Sequence, residues 1–221
     1  RHADHDSAVT AASMGMSYNQ AEVCPSGPRL FVEKPVDEEL LSQPPERGKK
    51  TKPGDPLDPK TRFGPVASKS QLDKVLSYIE IGKGEGAQLA AGGNKADIGT
   101  GKGYFVEPTV FAGASNAMRI AREEIFGPVL TVIPVDDFES ALQAANDTSY
   151  GLAAAIHTRD IKKAHRAAKA LKAGTVWINT YNMYDAASPF GGYKQSGFGR
   201  ELGREALDGY LQTKSIWVDL S

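Results

Sequence analysis

The sequence predicts an α/β fold in which helices flank a mostly parallel, open sheet. Between residues 127 and 178, apolar strand patterns alternate with helical patterns, and this alternation is typical of parallel βαβ units. Residues 127–135 form an almost continuous apolar run, as expected for a strand that is buried on both faces. With 221 residues and a hydrophobic content of 40%, the chain carries enough apolar material for a sizeable core.

The individual elements follow from periodicity and from the residues that begin and end them. Ser68 is a predicted N-cap, because Leu72, Val75 and Ile79 recur behind it at helical spacing. Gly174 is a predicted C-cap that separates the last long helix from the next strand. Predicted helices cover residues 8–18, 68–85, 138–146, 160–171 and 201–211. Predicted strands cover residues 29–33, 87–91, 104–111, 127–135, 152–156, 175–178 and 214–220.

Composition and charge exclude several classes of function. The 26 Lys and Arg residues nearly balance the 27 Asp and Glu residues, so we expect neither nucleic acid nor a membrane as the main partner. No apolar run has the length of a membrane span, and the polar first residues do not resemble a secretory signal. One cysteine allows no intrachain disulfide, and one cysteine with four histidines makes a zinc site unexpected. We therefore expect a cytoplasmic protein without a bound metal.

Cys24 is the first candidate for chemistry. It lies between a predicted helix and a predicted strand, and the neighbouring Pro25 and Gly27 are typical of a turn. Such a turn would aim the sulfur and a backbone N–H into a cleft, since loops between regular elements often present reactive groups. A lone cysteine also packs as a small apolar residue, so an inert buried thiol remains the alternative at this point.

Two further segments carry residues suited to a ligand site. In residues 122–129, two adjacent carboxylates precede Phe126 and a Gly-Pro turn. A carboxylate there could accept hydrogen bonds from a ribose, and the aromatic could lie against a flat ring. The alternative is a solvated acidic pair next to a phenylalanine of the core. Residues 188–201 read as a constrained, aromatic-lined loop, either a pocket wall or a packed crossing of the chain. This loop is not a phosphate-binding Walker motif, because Gln195 follows Lys194.

Together these segments resemble the aldehyde dehydrogenase superfamily. The matching motifs occur in the family's order, at roughly its spacing, and span nearly the whole chain. They are Asn19-Gln20 with Cys24, Gly27 and Arg29, then residues 103–109, 123–128, 173–179 and 189–197. The resemblance implies an aldehyde dehydrogenase-like catalytic domain of the NAD(P)-dependent, hydrolytic branch.

The resemblance also assigns roles. Cys24 would be the nucleophile that attacks a small-molecule aldehyde, forming a thiohemiacetal and, after hydride transfer to NAD or NADP, a thioester. Its backbone N–H would be one oxyanion donor. Glu124 would hold the nicotinamide ribose, and Phe126 would flank the nicotinamide. The residues that would line the aldehyde tunnel are Val23, Tyr184 and Phe190.

The family's domain organisation gives further expectations. Residues 1–212 would be a catalytic domain truncated at its N-terminal side, and residues 213–221 an oligomerisation strand of a homodimer or homotetramer. The dinucleotide-binding domain, the general-base glutamate and a second oxyanion donor are expected before Arg1 and are absent from this chain. We therefore expect no turnover by the chain alone.

Some positions depart from the family pattern. Ala21 and Glu22 stand where the family usually has Gly-Gln, and we expect the Glu22 carboxylate to point away from the nucleophile. A Pro-Pro pair interrupts residues 35–59, which we expect to be irregular although the family has a helix there. Asp185 would favour a cationic aldehyde or simply be solvated. The alternatives left open are a non-catalytic oligomerising module and a CoA-acylating relative, although the Phe190 segment favours the hydrolytic branch.

Overall fold

A computed structural model describes residues 3–34 and 52–221. The helices are α1 (His5–Ser17), α2 (Lys69–Gly84), α3 (Arg119–Arg122), α4 (Phe138–Asn146) and α5 (Ile161–Ala170), with 3-10 helices at Tyr18–Ala21 and Arg204–Tyr210. The strands are β1 (Arg29–Glu33), β2 (Gln88–Ala91), β3 (Thr109–Ala112), β4 (Val129–Val135), β5 (Tyr150–Gly151), β6 (Ala153–Ile156), β7 (Thr175–Ile178) and β8 (Tyr193–Lys194).

The main sheet has the strand order β1-β4-β3-β2. Strands β1 and β3 both run parallel to β4, whereas β2 pairs antiparallel with β3 at the edge. Strands β6 and β7 form a second, parallel pair, and the short β5 and β8 pair antiparallel. The predicted mostly parallel sheet is thus confirmed, with an antiparallel edge strand.

The core lies on both faces of β4, because alternate residues of a strand point to opposite faces. On one face, α2 packs Leu72, Val75 and Ile79 against Val129 and Ile133. On the other face, α1 contributes to a second cluster. That cluster comprises Val9, Met16, Val32, Ala91, Val110, Leu130 and Val132. The prediction of a strand buried on both faces is therefore confirmed.

Of the two predicted caps, Ser68 has the expected geometry and Gly174 does not. Helix α5 ends at Ala170 with Leu171 as its C-cap, and Gly174 lies beyond that cap without the positive φ of a C-terminal glycine. The Ser68 hydroxyl accepts a hydrogen bond from the Gln71 N–H and begins α2. The Asp137 carboxylate and the Ser140 side chain form a reciprocal capping box that begins α4. Helix α4 and strand β7 have the predicted bounds.

Three predicted elements differ from the structure. The predicted strand 104–111 is reduced to β3, because Pro108 has no N–H to donate to a ladder. The predicted helix 201–211 is a 3-10 helix, Arg204–Tyr210, with no buried residue. The predicted strand 214–220 is not formed within this chain, since a strand needs a hydrogen-bonding neighbour, and residues 211–221 are exposed. Pairing of this segment with a second subunit stays a prediction.

Two other expectations concern the irregular residues 35–59 and the absence of membrane-spanning segments. Residues 52–59 contain no helix or strand, as predicted, whereas residues 35–51 of the same irregular stretch lie outside the described residues. Among the described helices, none is both long enough and apolar enough to cross a membrane.

Candidate active site

The Cys24 loop has an unusual backbone. Three consecutive residues, Asn19, Gln20 and Ala21, adopt φ angles of 49°, 57° and 56°. Left-handed conformations are uncommon outside glycine and store strain, so the surrounding contacts must hold this turn in place. The predicted turn follows directly, closed by a hydrogen bond of 2.9 Å from the Ser26 N–H to the Val23 carbonyl. Cys24 lies within that turn, and its thiol-bearing side chain is exposed.

Two side chains tether this loop to the segment that leads into α2. The Gln20 amide oxygen accepts a hydrogen bond of 3.1 Å from the Gly64 N–H. The Glu22 carboxylate accepts from the Ala67 N–H at 3.0 and 3.1 Å. Glu22 is thereby bound to a backbone donor of another segment, which agrees with the expectation that it turns from the thiol.

Tyr181 fixes the other side of the same loop. Its hydroxyl donates a 2.5 Å hydrogen bond to the Pro25 carbonyl, and burial raises the pKa of the phenol, so it stays protonated as a donor. A Cβ atom at Gly27 would lie 2.9 Å from the same hydroxyl oxygen. Gly27 is therefore required for Tyr181 to approach the turn.

The two adjacent carboxylates predicted as a pair are in different environments. Glu123 accepts hydrogen bonds from Arg119 at 2.9 Å and from the Tyr78 hydroxyl at 2.7 Å. The Arg119 guanidinium and the Tyr78 hydroxyl lower the pKa of Glu123 to about 2. Glu124 is exposed, and within residues 3–34 and 52–221 no side chain forms a hydrogen bond or ion pair with it. Of the two, Glu124 is the carboxylate available to a ligand.

The backbone at Phe126 is held by hydrogen bonds from a side chain of helix α2. The φ angle of Phe126 is 57°, again left-handed for a residue with a bulky side chain. The Gln71 side-chain amide donates to the Ile125 carbonyl at 3.1 Å and to the Phe126 carbonyl at 2.5 Å. Helix α2 thus fixes the backbone that presents Phe126.

A cleft of about 650 Å³ brings three of the predicted site residues together. Cys24, Glu124 and Phe126 all line it. The predicted tunnel residues Val23, Tyr184 and Phe190 are not among the residues that line this cleft.

Tyr184 and Phe190 instead belong to an aromatic cluster beside the Cys24 loop. The ring centroids of Trp177 and Tyr181 are 5.1 Å apart, those of Trp177 and Tyr184 are 5.7 Å apart, and those of Tyr184 and Phe190 are 5.2 Å apart. Burial raises the pKa of Tyr184, and Cys24 adds to the increase, so the phenol and the thiol are electrostatic neighbours. Because the Tyr181 hydroxyl binds the Pro25 carbonyl, these four aromatic residues, the aromatic cluster, adjoin the Cys24 loop.

A model of the aldehyde dehydrogenase family matches residues 1–216 of this chain. The chain belongs to the aldehyde dehydrogenase family.

Similar proteins in this family include betaine aldehyde dehydrogenases and solved structures. The betaine aldehyde dehydrogenase of Brucella anthropi is 49% identical over 99% of this chain, and that of Mesorhizobium japonicum is 49% identical over 98%. The chain covers 45% of each of these two relatives, somewhat less than half their length.

The solved structures support the fold. Betaine aldehyde dehydrogenase from Staphylococcus aureus in complex with NAD+ is 44% identical, with a TM-score of 0.94, over 96% of this chain and 42% of that one. An NAD+ complex of aldehyde dehydrogenase from Bacillus cereus is 48% identical, with a TM-score of 0.95, over all of this chain and 44% of that one. The predicted family and its α/β fold are confirmed.

Several contacts that shape this candidate site were not predicted. The Gln71 side chain binds backbone carbonyls 54 and 55 residues away, and the Glu22 carboxylate binds a backbone N–H 45 residues away. Local sequence patterns do not reveal contacts at such separations. Tyr181 follows a predicted strand and offered only the weak signal of an aromatic in a loop. Among the described residues, no three His, Cys, Asp or Glu side chains are placed to hold a metal ion.

Proposed function

We propose that this chain is the catalytic part of an NAD-dependent aldehyde dehydrogenase that oxidises an aldehyde to a carboxylic acid. The observation that carries the proposal is the exposed Cys24, held on a strained and tethered loop at a cleft shared with Glu124 and Phe126. Residues 1–212 form the catalytic domain in this proposal, and residues 213–221 form an oligomerisation strand of a homodimer or homotetramer.

Cys24 supplies the covalent chemistry. Its thiolate adds to the carbonyl carbon, the carbonyl π electrons move to oxygen, and a thiohemiacetal forms whose oxyanion is stabilised by the Cys24 backbone N–H. When the C=O bond re-forms, the hydride on that carbon departs and a thioester remains on the sulfur. NAD, when bound, accepts that hydride. Water then adds to the thioester, the C–S bond breaks, and the acid and the thiol are released.

The residues present suit a nicotinamide cofactor. Glu124 offers an exposed carboxylate that can accept hydrogen bonds from ribose hydroxyls. Phe126 offers a ring whose backbone is fixed by Gln71, so it can flank a flat heterocycle without reorganisation. The two similar enzymes solved with NAD+ support NAD over NADP.

The aromatic cluster supports a quaternary-ammonium aldehyde as the substrate. Aromatic faces attract such cations through their quadrupoles, and Tyr184 is an electrostatic neighbour of Cys24. Asp185 accepts a hydrogen bond of 2.8 Å from the Ala187 N–H, so its carboxylate organises its own turn. Recognition of the cation therefore rests on the rings. The curated betaine aldehyde dehydrogenases that resemble this chain support the same substrate class.

The nucleophile is tested in the full-length protein encoded by the source gene. Cys24→Ala should lower NADH formation by on the order of 10³-fold or more, because the covalent step is lost. NAD binding, measured by calorimetry, should stay nearly unchanged, and Ser26→Ala in the same turn is the matched control. Substantial oxidation by Cys24→Ala would contradict the assignment.

The substrate class is tested by replacing one ring of the aromatic cluster. Tyr184→Ala should raise KM for betaine aldehyde by roughly 2- to 30-fold, the range given by a cation–π contact, with a much smaller change for propanal. Tyr193→Ala removes an exposed tyrosine outside the aromatic cluster and is the control. Equal effects on both aldehydes would contradict a cation-binding role.

The domain organisation is tested with the 221-residue chain itself. We expect no turnover and little or no binding when NAD is titrated into it, because the remaining cofactor contacts and the general base are proposed to lie on other sequence. Micromolar affinity would contradict this. Light scattering on the full-length protein should show a dimer or tetramer, and a clean monomer would argue against the oligomerisation strand.

A further inference from the structure

The turn that carries Cys24 contains two peptide units whose orientations depend on each other. The unit between Val23 and Cys24 carries the Val23 carbonyl and the Cys24 N–H, which point in opposite directions because a trans peptide is planar. The Val23 carbonyl accepts the 2.9 Å hydrogen bond from the Ser26 N–H that closes the turn. This hydrogen bond therefore fixes the peptide plane and, with it, the direction in which the Cys24 N–H points.

Tyr181 holds the second peptide unit, which lies between Pro25 and Ser26. The Tyr181 hydroxyl donates to the Pro25 carbonyl, whereas the Ser26 N–H on the opposite side of the same plane donates to Val23. The unit is thus fixed at both ends and cannot rotate without breaking both hydrogen bonds. Because linked hydrogen bonds polarise one another, the hydroxyl also strengthens the bond that orients the Cys24 peptide.

The Tyr181 ring is held by contacts that do not involve its hydroxyl. Its centroid lies 5.1 Å from that of the buried Trp177, and a Cβ atom added at Gly15 of α1 would lie 3.4 Å from a ring carbon. Burial raises the pKa of the phenol, so the hydroxyl keeps the proton that it donates. Tyr181→Phe therefore removes the hydrogen bond and leaves the packing of the ring in place.

We propose that Tyr181 is a positioning residue that, through these two peptide units, aims the Cys24 N–H at the oxygen of the tetrahedral intermediate. The inference rests on the proposed function, in which this N–H is an oxyanion donor. Such donors lower a barrier only when they point to the place where negative charge develops. Loss of the Tyr181 hydroxyl should therefore slow reactions of Cys24 that form an oxyanion and spare those that do not.

The experiment compares two reactions of Cys24 in the full-length protein without NAD. With p-nitrophenyl acetate, the thiolate adds to the ester carbonyl, an oxyanion forms, and the C–O bond then breaks to release p-nitrophenolate. With iodoacetamide, the thiolate displaces iodide from a methylene carbon, and no oxyanion forms. The burst of p-nitrophenolate absorbance gives the rate of acylation, and mass spectrometry gives the rate of alkylation.

Tyr181→Phe should slow acylation of Cys24 by about 3- to 30-fold and leave alkylation within about twofold of the parent rate. The loss is smaller than that of a whole oxyanion donor, because the N–H remains but its direction is no longer fixed. In aldehyde oxidation, the same variant should lower kcat and leave KM for NAD unchanged. Tyr193→Phe removes the hydroxyl of an exposed tyrosine outside the aromatic cluster and is the matched control.

Gly27→Ala gives a second way to break the same contact. The added Cβ atom would lie 2.9 Å from the Tyr181 hydroxyl oxygen, so the phenol must move away from the Pro25 carbonyl. Gly27→Ala should therefore also slow acylation more than alkylation. Because both substitutions remove one interaction, the double variant should be about as slow as the slower single variant.

The possible results separate this inference from the proposed function. Equal decreases in acylation and alkylation by Tyr181→Phe overturn the inference, because they would show that the hydroxyl controls the exposure or ionisation of the thiol. Unchanged acylation overturns it as well, and so do effects of Tyr181→Phe and Gly27→Ala that multiply in the double variant. These results leave the nucleophile intact. A burst of parent size in Cys24→Ala would instead overturn the nucleophile itself.

Discussion

The two sides of strand β1 are very different. On the β4 side, six of the seven residues of β4 are buried, and α1 and α2 cover opposite faces of the sheet. On the β6 side, all four residues of β6 are only half-buried and line the cleft. Both regions have strand-forming sequences, so the apolar pattern shows that a strand exists, whereas the neighbouring strands determine how completely it is buried.

The largest expected effect compares leucines on the two strands. Leu130 in β4 is fully buried, whereas Leu30 in β1 is only partly buried against the same cluster. Leu130→Ala should lower the free energy of unfolding by about 3–5 kcal/mol, because it removes buried methyl groups and leaves a cavity. Leu30→Ala should cost clearly less in this chain, measured by urea denaturation at an unchanged m-value. Equal losses would show that Leu30 is as well packed as Leu130.

Gln71 connects the packed region to the candidate site. Gln71→Ala should lower the free energy of unfolding by about 1–3 kcal/mol, since two partly buried carbonyls lose their donor. In the full-length protein it should also raise KM for NAD, because Phe126 is no longer fixed. Ser77→Ala, an exposed position on the same helix, is the control. A loss of stability without any change in KM would show that Gln71 does not support the proposed cofactor site.

The sequence was most informative where structure depends on neighbours in the chain. Ser68 begins α2 and the 129–135 run forms β4 as predicted, because caps and apolar periodicity are local signals. The pairing of β5 with β8 was not predicted, since it joins residues more than forty positions apart through two-residue strands.

The candidate site also has features that the sequence predicts and features that only the folded chain reveals. Resemblance to the family selected Cys24, Glu124 and Phe126, and the structure places all three at one cleft. It did not reveal that Arg119 and Tyr78 bind Glu123 and leave its neighbour available. Such a distinction depends on which side chains meet after folding.

The different environments of Glu123 and Glu124 can be tested by measuring stability as a function of pH. The pKa of Glu123 is lowered to about 2, so the carboxylate contributes stability that is fully present above its ordinary value near 4.5 and is lost as pH falls toward 2. Glu123→Gln should therefore be less stable than the parent chain at pH 7, with the difference shrinking at acidic pH. Unfolding midpoints measured from pH 7 to pH 2 give the comparison. Glu124→Gln is the matched control, and a similar pH-dependent loss there would contradict the different environments.

The smallest effect is expected at the end of the cleft where α1 begins. Asp4 accepts a hydrogen bond of 3.0 Å from the Ser7 N–H as the N-cap, and it also pairs with Arg159, whose side chain is 74% exposed. Exposed ion pairs contribute little, whereas N-caps satisfy backbone donors. Arg159→Ala and Asp4→Asn should therefore leave the unfolding midpoint nearly unchanged, and Asp4→Ala should lower it more than either. If Arg159→Ala were the most damaging of the three, the ion pair and not the cap would hold the start of α1 beside β6.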